Sequence, residues 1–165
     1  MEKVRISKIL SEKGLCSRRE ADKFIELGQV LLDGKTVSEL GAKACRSQKV
    51  ELKDKAKKTQ SSKATIILHK PVGYISHLDD DKEFTPAASL ITPDKYFKQN
   101  KENKNPVFNS DGLAPAGRLD IDSSGLLVLT QDGRVAKRII GENVIVEKEY
   151  LVRVEGNLSD SNLKL

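Results

Sequence analysis

The sequence has little that would place the chain in a membrane, in an oxidising compartment or around a structural metal ion. Its 165 residues include only two cysteines, Cys16 and Cys45, which form no C-x-x-C pair. That pattern excludes a disulfide framework and a cysteine zinc site, so a reducing cytoplasm is the expected location. No apolar run approaches the ~20 residues that span a bilayer. The first residues also lack a secretory pattern.

The excess of positive charge lies entirely in the first third of the chain. Residues 1–58 contain 15 Lys and Arg against 9 Asp and Glu, whereas the remaining residues contain 14 against 15. Such an asymmetry predicts a basic nucleic-acid-binding module joined to a near-neutral one. A basic surface without a nucleic-acid partner is the alternative interpretation.

Short helices and strands are predicted within the basic part. Helical spacing of apolar residues predicts a helix over residues 4–13 that ends at Gly14. Ser17 and Glu20 have the spacing of a capping box, which predicts a second helix with Gly28 at its end. Residues 30–32 and 35–37 are predicted strands joined by a tight turn at Asp33–Gly34, and residues 49–52 are a further strand.

Residues 53–63 are rich in Lys, Ser, Thr and Gln and show no apolar periodicity. That composition predicts a flexible linker. We therefore divide the chain into a first module at residues 1–58, a linker at 59–63 and a second module at 64–165. The linker would allow the basic module to swing onto a nucleic acid.

The most informative stretch covers residues 116–133. A short apolar run, 126–129, is bounded by turn signals and predicts a buried strand. The loop before it carries Arg118 and Asp120, which point the same way in an extended segment, so the cation would keep the carboxylate ionised. A rigid strand behind the loop would hold such a carboxylate for chemistry. The alternative is that Asp120 only stabilises a turn.

Other segments of the second half give weaker signals. Residues 64–68 are a predicted strand before Lys-Pro-Val-Gly at 70–73, and residues 84–91 are a predicted short helix. Residues 92–112 are interpreted as a mobile excursion beside the substrate site, which is either a lid or RNA contact or only a tolerated insertion. The acidic run at 79–81 is interpreted as solvated. Alternation from residue 148 predicts a strand that presents Lys148 and Tyr150 on one face.

Gly-Arg-Leu-Asp at 117–120, followed by Ser-Ser-Gly-Leu-Leu at 123–127, resembles the signature of the RsuA-type bacterial ribosomal-RNA pseudouridine synthases. Lys-Pro-x-Gly at 70–73 and Lys-x-Tyr at 148–150 match further marks of that family. The first fifty residues resemble the RNA-binding module named after small-subunit ribosomal protein S-four. The resemblance implies an α+β fold, in which this small module precedes the first part of a mixed, mostly antiparallel pseudouridine-synthase sheet with flanking helices.

The resemblance also implies a reaction and its residues. Asp120 would be the catalytic carboxylate in converting uridine to pseudouridine, Arg118 would fill the space the base vacates, and Tyr150 would pack on the uracil. A carboxylate starts such a reaction by attacking the sugar or the base, or by abstracting a proton. No cofactor, metal ion or obligate protein partner is expected, and the partner is ribosomal RNA or a ribosomal-subunit precursor, with the large subunit favoured.

A set of cations is predicted to contact RNA. Arg18 and Arg19 are the strongest members, because they stand at a helix N-terminus, where backbone N–H groups also favour phosphate. The other predicted RNA contacts are Arg5, Lys8, Lys23, Lys35, Lys70 and Lys148.

Two other functions remain open at the level of sequence. A non-catalytic RNA-binding or ribosome-assembly factor would need only the basic module, and a metal-dependent nuclease would use the carboxylates at 79–81. Members of the resembled family continue for many tens of residues beyond the position matching Leu165. We therefore expect this polypeptide by itself to expose a sheet edge, to be inactive and to self-associate.

Overall fold

The computed structural model describes residues 2–77, 83–95, 97, 110–156 and 159. These residues form two modules, each built around its own cluster of buried apolar side chains. Helices are combined with mostly antiparallel sheets, which confirms the predicted α+β class. Among the helices described, none is both long enough and apolar enough to cross a bilayer.

The first module combines three helices with five short strands. β1 pairs with β4 in antiparallel fashion, and β2 lies between β3 and β5 in a second antiparallel sheet. Apolar side chains of α1, α2 and the central strand β2 form its core. The elements are β1 (Lys3–Arg5), α1 (Ile6–Glu12), α2 (Arg18–Glu26), β2 (Val30–Leu32), β3 (Lys35–Val37), β4 (Lys43–Cys45), β5 (Val50–Leu52) and α3 (Asp54–Ser61).

Local sequence signals in this module are confirmed. The Glu20 N–H donates to Ser17 Oγ at 3.4 Å and the Ser17 N–H donates to Glu20 Oε2 at 2.6 Å, which completes the capping box. Asp33 and Gly34 have φ angles of 47° and 80°, as a tight hairpin turn between β2 and β3 requires. The predicted first helix begins later than residue 4, because residues 3–5 pair with β4 instead.

The prediction of a flexible segment at residues 53–63 is wrong, because most of it forms α3. Ala56 is fully buried and Gln60 is 5% exposed, so one side of the helix packs against the protein. Lys and Gln are good helix formers, and a single buried side needs few apolar residues. The boundaries of the two modules themselves stay predictions.

The second module is organised around the strand predicted at residues 126–129. This strand, β10, lies in the centre of a three-stranded antiparallel sheet, between β6 and β9. Leu127 and Leu129 are 2% and 1% exposed and form the core of the module on the inner face. The elements are β6 (Thr65–Lys70), β7 (Tyr74–Ile75), β8 (Thr85–Pro86), β9 (Ala114–Pro115), β10 (Gly125–Thr130) and α4 (Gly133–Ile140).

The opposite face of this sheet carries exposed apolar side chains. Ile67 on β6 and Leu126 on β10 are 72% and 68% exposed. The predicted helix at 84–91 is present only as a 3-10 turn, Ala87–Leu90, after the short strand β8. The acidic run at 79–81, and most of the predicted excursion at 92–112, lie outside the described residues.

The strand predicted from residue 148 is not formed in the described chain. Residues 144–154 are not in a helix or strand, and the side chains of Ile145 and Leu151 are each 95% exposed. Alternation of apolar residues favours a strand only where a neighbouring strand accepts its hydrogen bonds and covers one face. No described strand pairs with this segment.

The two modules meet at a buried junction that was not predicted. Lys63 Nζ forms an ion pair with Glu20 Oε1, and both side chains are about 15% exposed or less. The same Glu20 oxygen accepts a hydrogen bond from the Gly133 N–H, the first residue of α4, at 3.1 Å. The glutamate of the α2 capping box therefore also binds the start of a helix in the other module.

A second set of hydrogen bonds joins the two modules next to the first set. Gln60 Nε2 donates to Asp132 Oδ1 at 3.1 Å, and Arg134 Nη1 donates to the Gly14 carbonyl oxygen at 3.2 Å. Arg134 also donates to both oxygens of Asp132, with Nη2 to Oδ2 at 2.7 Å. The modules are thus joined by charged groups whose donors and acceptors are largely satisfied by one another.

Charge and burial act against each other at this junction. Burial is the largest single influence on the pKa of Glu20 and of Asp132 and raises it. The hydrogen bonds of Glu20 with Lys63, Ser17 and Gly133, and those of Asp132 with Arg134, together outweigh burial and hold the pKa of both carboxyls below the usual value. Cys16 is 1% exposed at the same place. Its burial, with the nearby charge of Glu20, raises the pKa of the thiol to about 12.

Candidate active site and RNA interface

Asp120 lies in the loop between β9 and β10, at the mouth of an open cleft of about 630 Å³. Both its own side chain and that of Arg118 are exposed. A volume of this size lies within the roughly 300–1,000 Å³ usual for ligand sites. We call this space the Asp120 cleft; its walls are Ile75, Ser76, His77, Arg118, Leu119, Asp120 and Ile121.

The residue before Asp120 is fixed by a buried serine. The Leu119 N–H donates to Ser76 Oγ at 2.8 Å, and Ser76 Oγ donates to the Leu119 carbonyl oxygen at 2.6 Å. Ser76 is only 4% exposed, and the Leu119 side chain packs on the core of the module. One hydroxyl thus satisfies both backbone groups of Leu119 and limits the movement of the peptide that carries Asp120.

The residue after Asp120 is fixed by the segment that follows β6. The Gly73 N–H donates to the Ile121 carbonyl oxygen at 2.8 Å. Lys70 Nζ donates to the Pro71 and Ile121 carbonyl oxygens at 3.0 and 3.4 Å. The Asp120 carboxylate therefore projects from a backbone that is held on both sides, as a reacting group requires.

Lys70 supports the loop that carries Asp120 from inside the protein. It stands at the end of β6 opposite Gly125, and its side chain is fully buried. Burial lowers the pKa of Lys70, while the negative charges of Asp120 and Asp122 act in the opposite direction. The predicted RNA contact by Lys70 is therefore corrected, because its ammonium group lies beneath the loop and is inaccessible to RNA.

The expected pairing of Arg118 with Asp120 is not formed. Among the ion pairs of the described residues, none joins these two side chains. The cation whose pKa responds to Asp120 is Lys70. Arg118 remains on the wall of the cleft with its guanidinium exposed, so it is available to a bound molecule.

Tyr150 and Lys148 are not brought to the Asp120 cleft. Neither residue is on its walls, and Tyr150 is 61% exposed in the unpaired segment at 144–154. Lys148 is exposed as well, and its Nζ donates to the Val146 carbonyl oxygen at 3.5 Å. Their predicted roles stay predictions, since the strand meant to carry them is not formed.

Most of the cations predicted to contact RNA are accessible. Arg18 and Arg19 are exposed in the first turn of α2, directly after the capping residue Ser17. Lys8 is half-buried and lies 3.9 Å from Glu12 in an ion pair. The remaining exposed members of the first module are Arg5, Lys23 and Lys35.

Sequence reasoning missed two residues on the wall of the Asp120 cleft, Ser76 and His77. No short motif marks either one, because their proximity to Asp120 depends on the return of the chain from β7 to a loop more than forty residues later. Among the described residues, no group of three or more His, Cys, Asp or Glu is arranged to hold a metal ion.

Two protein families match different parts of the chain. A family described as "RNA pseudouridylate synthase" matches residues 64–164, and the S4 domain matches residues 4–50. The first match contains the whole Asp120 cleft, and the second contains α1, α2, β2, β3 and β4 and ends at Val50, the first residue of β5.

Individual proteins resemble the chain across both modules. An "Uncharacterized RNA pseudouridine synthase" of Aquifex aeolicus is 34% identical over 98% of this chain and 62% of its own length. "Ribosomal large subunit pseudouridine synthase B" of Bacillus subtilis is 34% identical over 92% of this chain and 56% of its own. "Dual-specificity RNA pseudouridine synthase RluF" of Escherichia coli is 33% identical over 98% and 50%. The chain thus spans about half to three fifths of the length of these relatives.

Proposed function

The chain belongs to the RNA pseudouridylate synthase family, and from this premise we propose that the protein containing it isomerises uridine to pseudouridine in ribosomal RNA with Asp120 as the catalytic carboxylate. The observation that supports Asp120 most directly is its setting. Its side chain is exposed in a cleft, while the backbone on both sides is held by Ser76, Gly73 and Lys70.

The proposed reaction breaks the bond between C1′ of the ribose and N1 of the uracil, and joins C1′ to C5 instead. C5 loses a proton and N1 gains one, so atoms and electrons balance without an oxidant. A fixed carboxylate serves as the nucleophile or the base that starts it. Extrusion of the base from its stack costs a few kcal/mol. We propose that the guanidinium of Arg118, which is on the wall of the cleft, occupies the space the base leaves.

The substrate is proposed to be large-subunit ribosomal RNA. A relative with 34% identity carries that subunit in its name, and the amino-terminal S4 domain provides a module for RNA. Phosphate contacts from such a module fix the position of an RNA without reading its sequence. We propose Arg18 and Arg19 as the principal contacts of this module, with Arg5, Lys23 and Lys35 beside them.

The test of the catalytic assignment is Asp120→Asn in the full-length gene product. We expect pseudouridine formation on unmodified large-subunit RNA to fall below a few per cent of wild type, with RNA affinity nearly unchanged, because Asn keeps the shape but loses the negative charge. Mapping new pseudouridines in both ribosomal RNAs is the measurement. Turnover well above that level in the variant would refute the role of Asp120.

Asp122→Asn is the matched control, since Asp122 is an exposed carboxylate two residues away in the same loop. Its activity should stay close to wild type. A wild-type protein that binds ribosomal RNA without forming pseudouridine would instead support the non-catalytic RNA-binding alternative.

A further inference from the structure

A second open cleft, of about 500 Å³, lies at the junction of the two modules. One wall is formed by the end of α1 and the start of α2, including Gly14, Cys16 and Ser17. The other wall is formed by α4, with Lys137 and Arg138. We call this space the junction cleft. Its position between an RNA-binding module and the module that carries Asp120 gives it access to a nucleic acid that touches both.

The carboxylates close to the junction cleft are already neutralised. Asp132 is bound by Arg134, Glu20 by Lys63, and Glu12 by Arg46 and Lys8. Each cation in these pairs is therefore engaged by a carboxylate. Any attraction of the cleft for a polyanion must come from cations outside these pairs.

Such unpaired cations line the α4 wall, and others are neighbours in sequence of the residues that form the facing wall. Lys137 and Arg138 are exposed and take part in no ion pair that the described residues form. Next to the residues of the facing wall, Lys13 precedes Gly14, and Arg18 and Arg19 follow Ser17; all three are exposed, although they do not line the cleft themselves. The charge of the rim is thus positive on the side of each module, although the second module as a whole is near neutral.

The walls are held in place before any ligand arrives. The hydrogen bonds from Gly133 to Glu20 and from Arg134 to Gly14 cross the junction, and Lys63, in the segment between the modules, forms an ion pair with the same Glu20. A preformed site does not pay for ordering its walls on binding. Phosphates spaced along an RNA strand match several cations on preformed walls better than a single small anion does.

We propose that the junction cleft binds the RNA backbone, and that Lys137 and Arg138 extend the RNA contact surface from the first module onto α4. This inference rests on the proposed function for the identity of the partner as RNA. It assigns RNA contacts to the second module away from the target base, where the sequence pattern indicated only Lys70 and Lys148. The competing explanation is that cations in the last turn of α4 only stabilise the helix dipole, which is worth about 0.3–1 kcal/mol each.

The test is the double variant Lys137→Ala, Arg138→Ala in the full-length protein, titrated with unmodified large-subunit RNA transcript at several KCl concentrations. Loss of two phosphate contacts should weaken binding about tenfold at low salt and reduce the slope of log K against log salt by about 2. Lys55→Ala, Lys58→Ala is the matched control, because it removes two exposed charges from α3. The Arg18→Ala, Arg19→Ala variant shows how large a change in affinity and salt slope results from the loss of two proposed RNA contacts in the first module.

Charge-conserving exchange separates binding from folding. Lys137→Arg, Arg138→Lys should restore both affinity and salt slope. An unchanged slope in the alanine variant, or a slope reduced equally in the α3 control, would overturn the inference, whatever happens to the unfolding temperature. Because RNA binding is read without turnover, a failure of the proposed catalysis would leave this result interpretable.

Discussion

Ser76 shows how much one buried hydroxyl can determine about a reactive loop. It accepts from the Leu119 N–H and donates to the Leu119 carbonyl oxygen, next to Asp120. We assign Ser76 no contact with a substrate. Its effect on chemistry passes through the backbone, which makes it a positioning residue for Asp120.

We predict that Ser76→Ala lowers turnover more than it lowers RNA affinity. Two backbone groups of Leu119 lose their partner, and a buried unsatisfied group costs about 1–3 kcal/mol. The loop then relaxes toward other positions of Asp120, and we expect kcat to fall about ten- to a hundredfold with little change in KM. Steady-state kinetics on a transcript that contains the target uridine measure this split.

Ser89→Ala is the control for Ser76→Ala. Ser89 also donates its hydroxyl to a backbone carbonyl, that of Pro86 at 2.8 Å, but at an exposed position away from the Asp120 cleft. Equal losses of activity in the two variants would show that Ser76 has no special relation to Asp120.

At this scale the sequence could identify Asp120 but not its supports. The motif around Asp120 is continuous in the chain, whereas Ser76 and Lys70 act through contacts across 43 and 51 residues. The sequence also does not show whether a lysine side chain is accessible to RNA or is buried beneath a loop. Only the pairing of Lys70 with Gly125 in the sheet shows that its side chain points inward.

The start of α4 illustrates the same point for a whole element. Gly133 is its first residue, and a Cβ built there would lie 2.6 Å from both Cβ and Oγ of Ser17 in the other module. Its φ angle is not in the left-handed region, so the glycine is not needed for the backbone of α4 itself. It is needed because α2 approaches closely.

We predict that Gly133→Ala separates the modules without unfolding either one. Alanine favours a helix over glycine by up to about 1 kcal/mol, so α4 should be no less stable by itself. The contact with Ser17 must open, and with it the hydrogen bond to Glu20. Small-angle scattering should show a larger radius of gyration, and hydrogen exchange should be faster at the first amides of α4.

A second substitution provides a rescue for Gly133→Ala. Ser17→Gly removes the atoms that clash, and glycine replaces serine as a helix N-cap at a cost of only a few tenths of a kcal/mol. The double variant should return to the wild-type radius. If it stays expanded, the close approach of Ser17 and Gly133 does not control the junction.

Two elements show where sequence patterns are insufficient. Residues 53–63 have the composition of a linker, yet α3 forms because two side chains, Ala56 and Gln60, find a surface to pack on. Residues 144–154 have the apolar alternation of a strand, yet no described strand pairs with them. In contrast, the capping box at Ser17 and the Asp33–Gly34 turn depend on neighbours within four residues, and both were correctly predicted.

The response of the whole molecule to acid follows from the junction. The pKa values of Glu20 and Asp132 are lowered in the folded protein, so their stabilising effect is fully present above the ordinary carboxyl values, 4.5 and 3.8. As the pH falls through the lowered folded values, protonation removes that effect. The contacts between modules should therefore fail before the cores do.

We predict that Glu20→Gln reduces the unfolding free energy by about 1–2 kcal/mol at neutral pH and flattens its decline in acid. Gln still closes a capping box, so the change reports the charge in contact with Lys63. Thermal unfolding from pH 7 to pH 3 measures it. Asp54→Asn, at a largely exposed carboxylate, should keep the wild-type profile; a wild-type profile for Glu20→Gln as well would contradict the role of the ion pair.

The burial of Cys16 makes opening of the structure around it measurable by chemical labelling. Alkylating reagents attack the thiolate, and a thiol with a pKa of about 12 that is 1% exposed offers almost none at neutral pH. Because Cys16 lines the junction cleft and also belongs to the core of the first module, its labelling requires the structure around it to open, while the partly exposed Cys45 gives the reference rate in the same molecule. The labelling rate of Cys16 relative to that of Cys45 thus reports how often the structure around the junction opens.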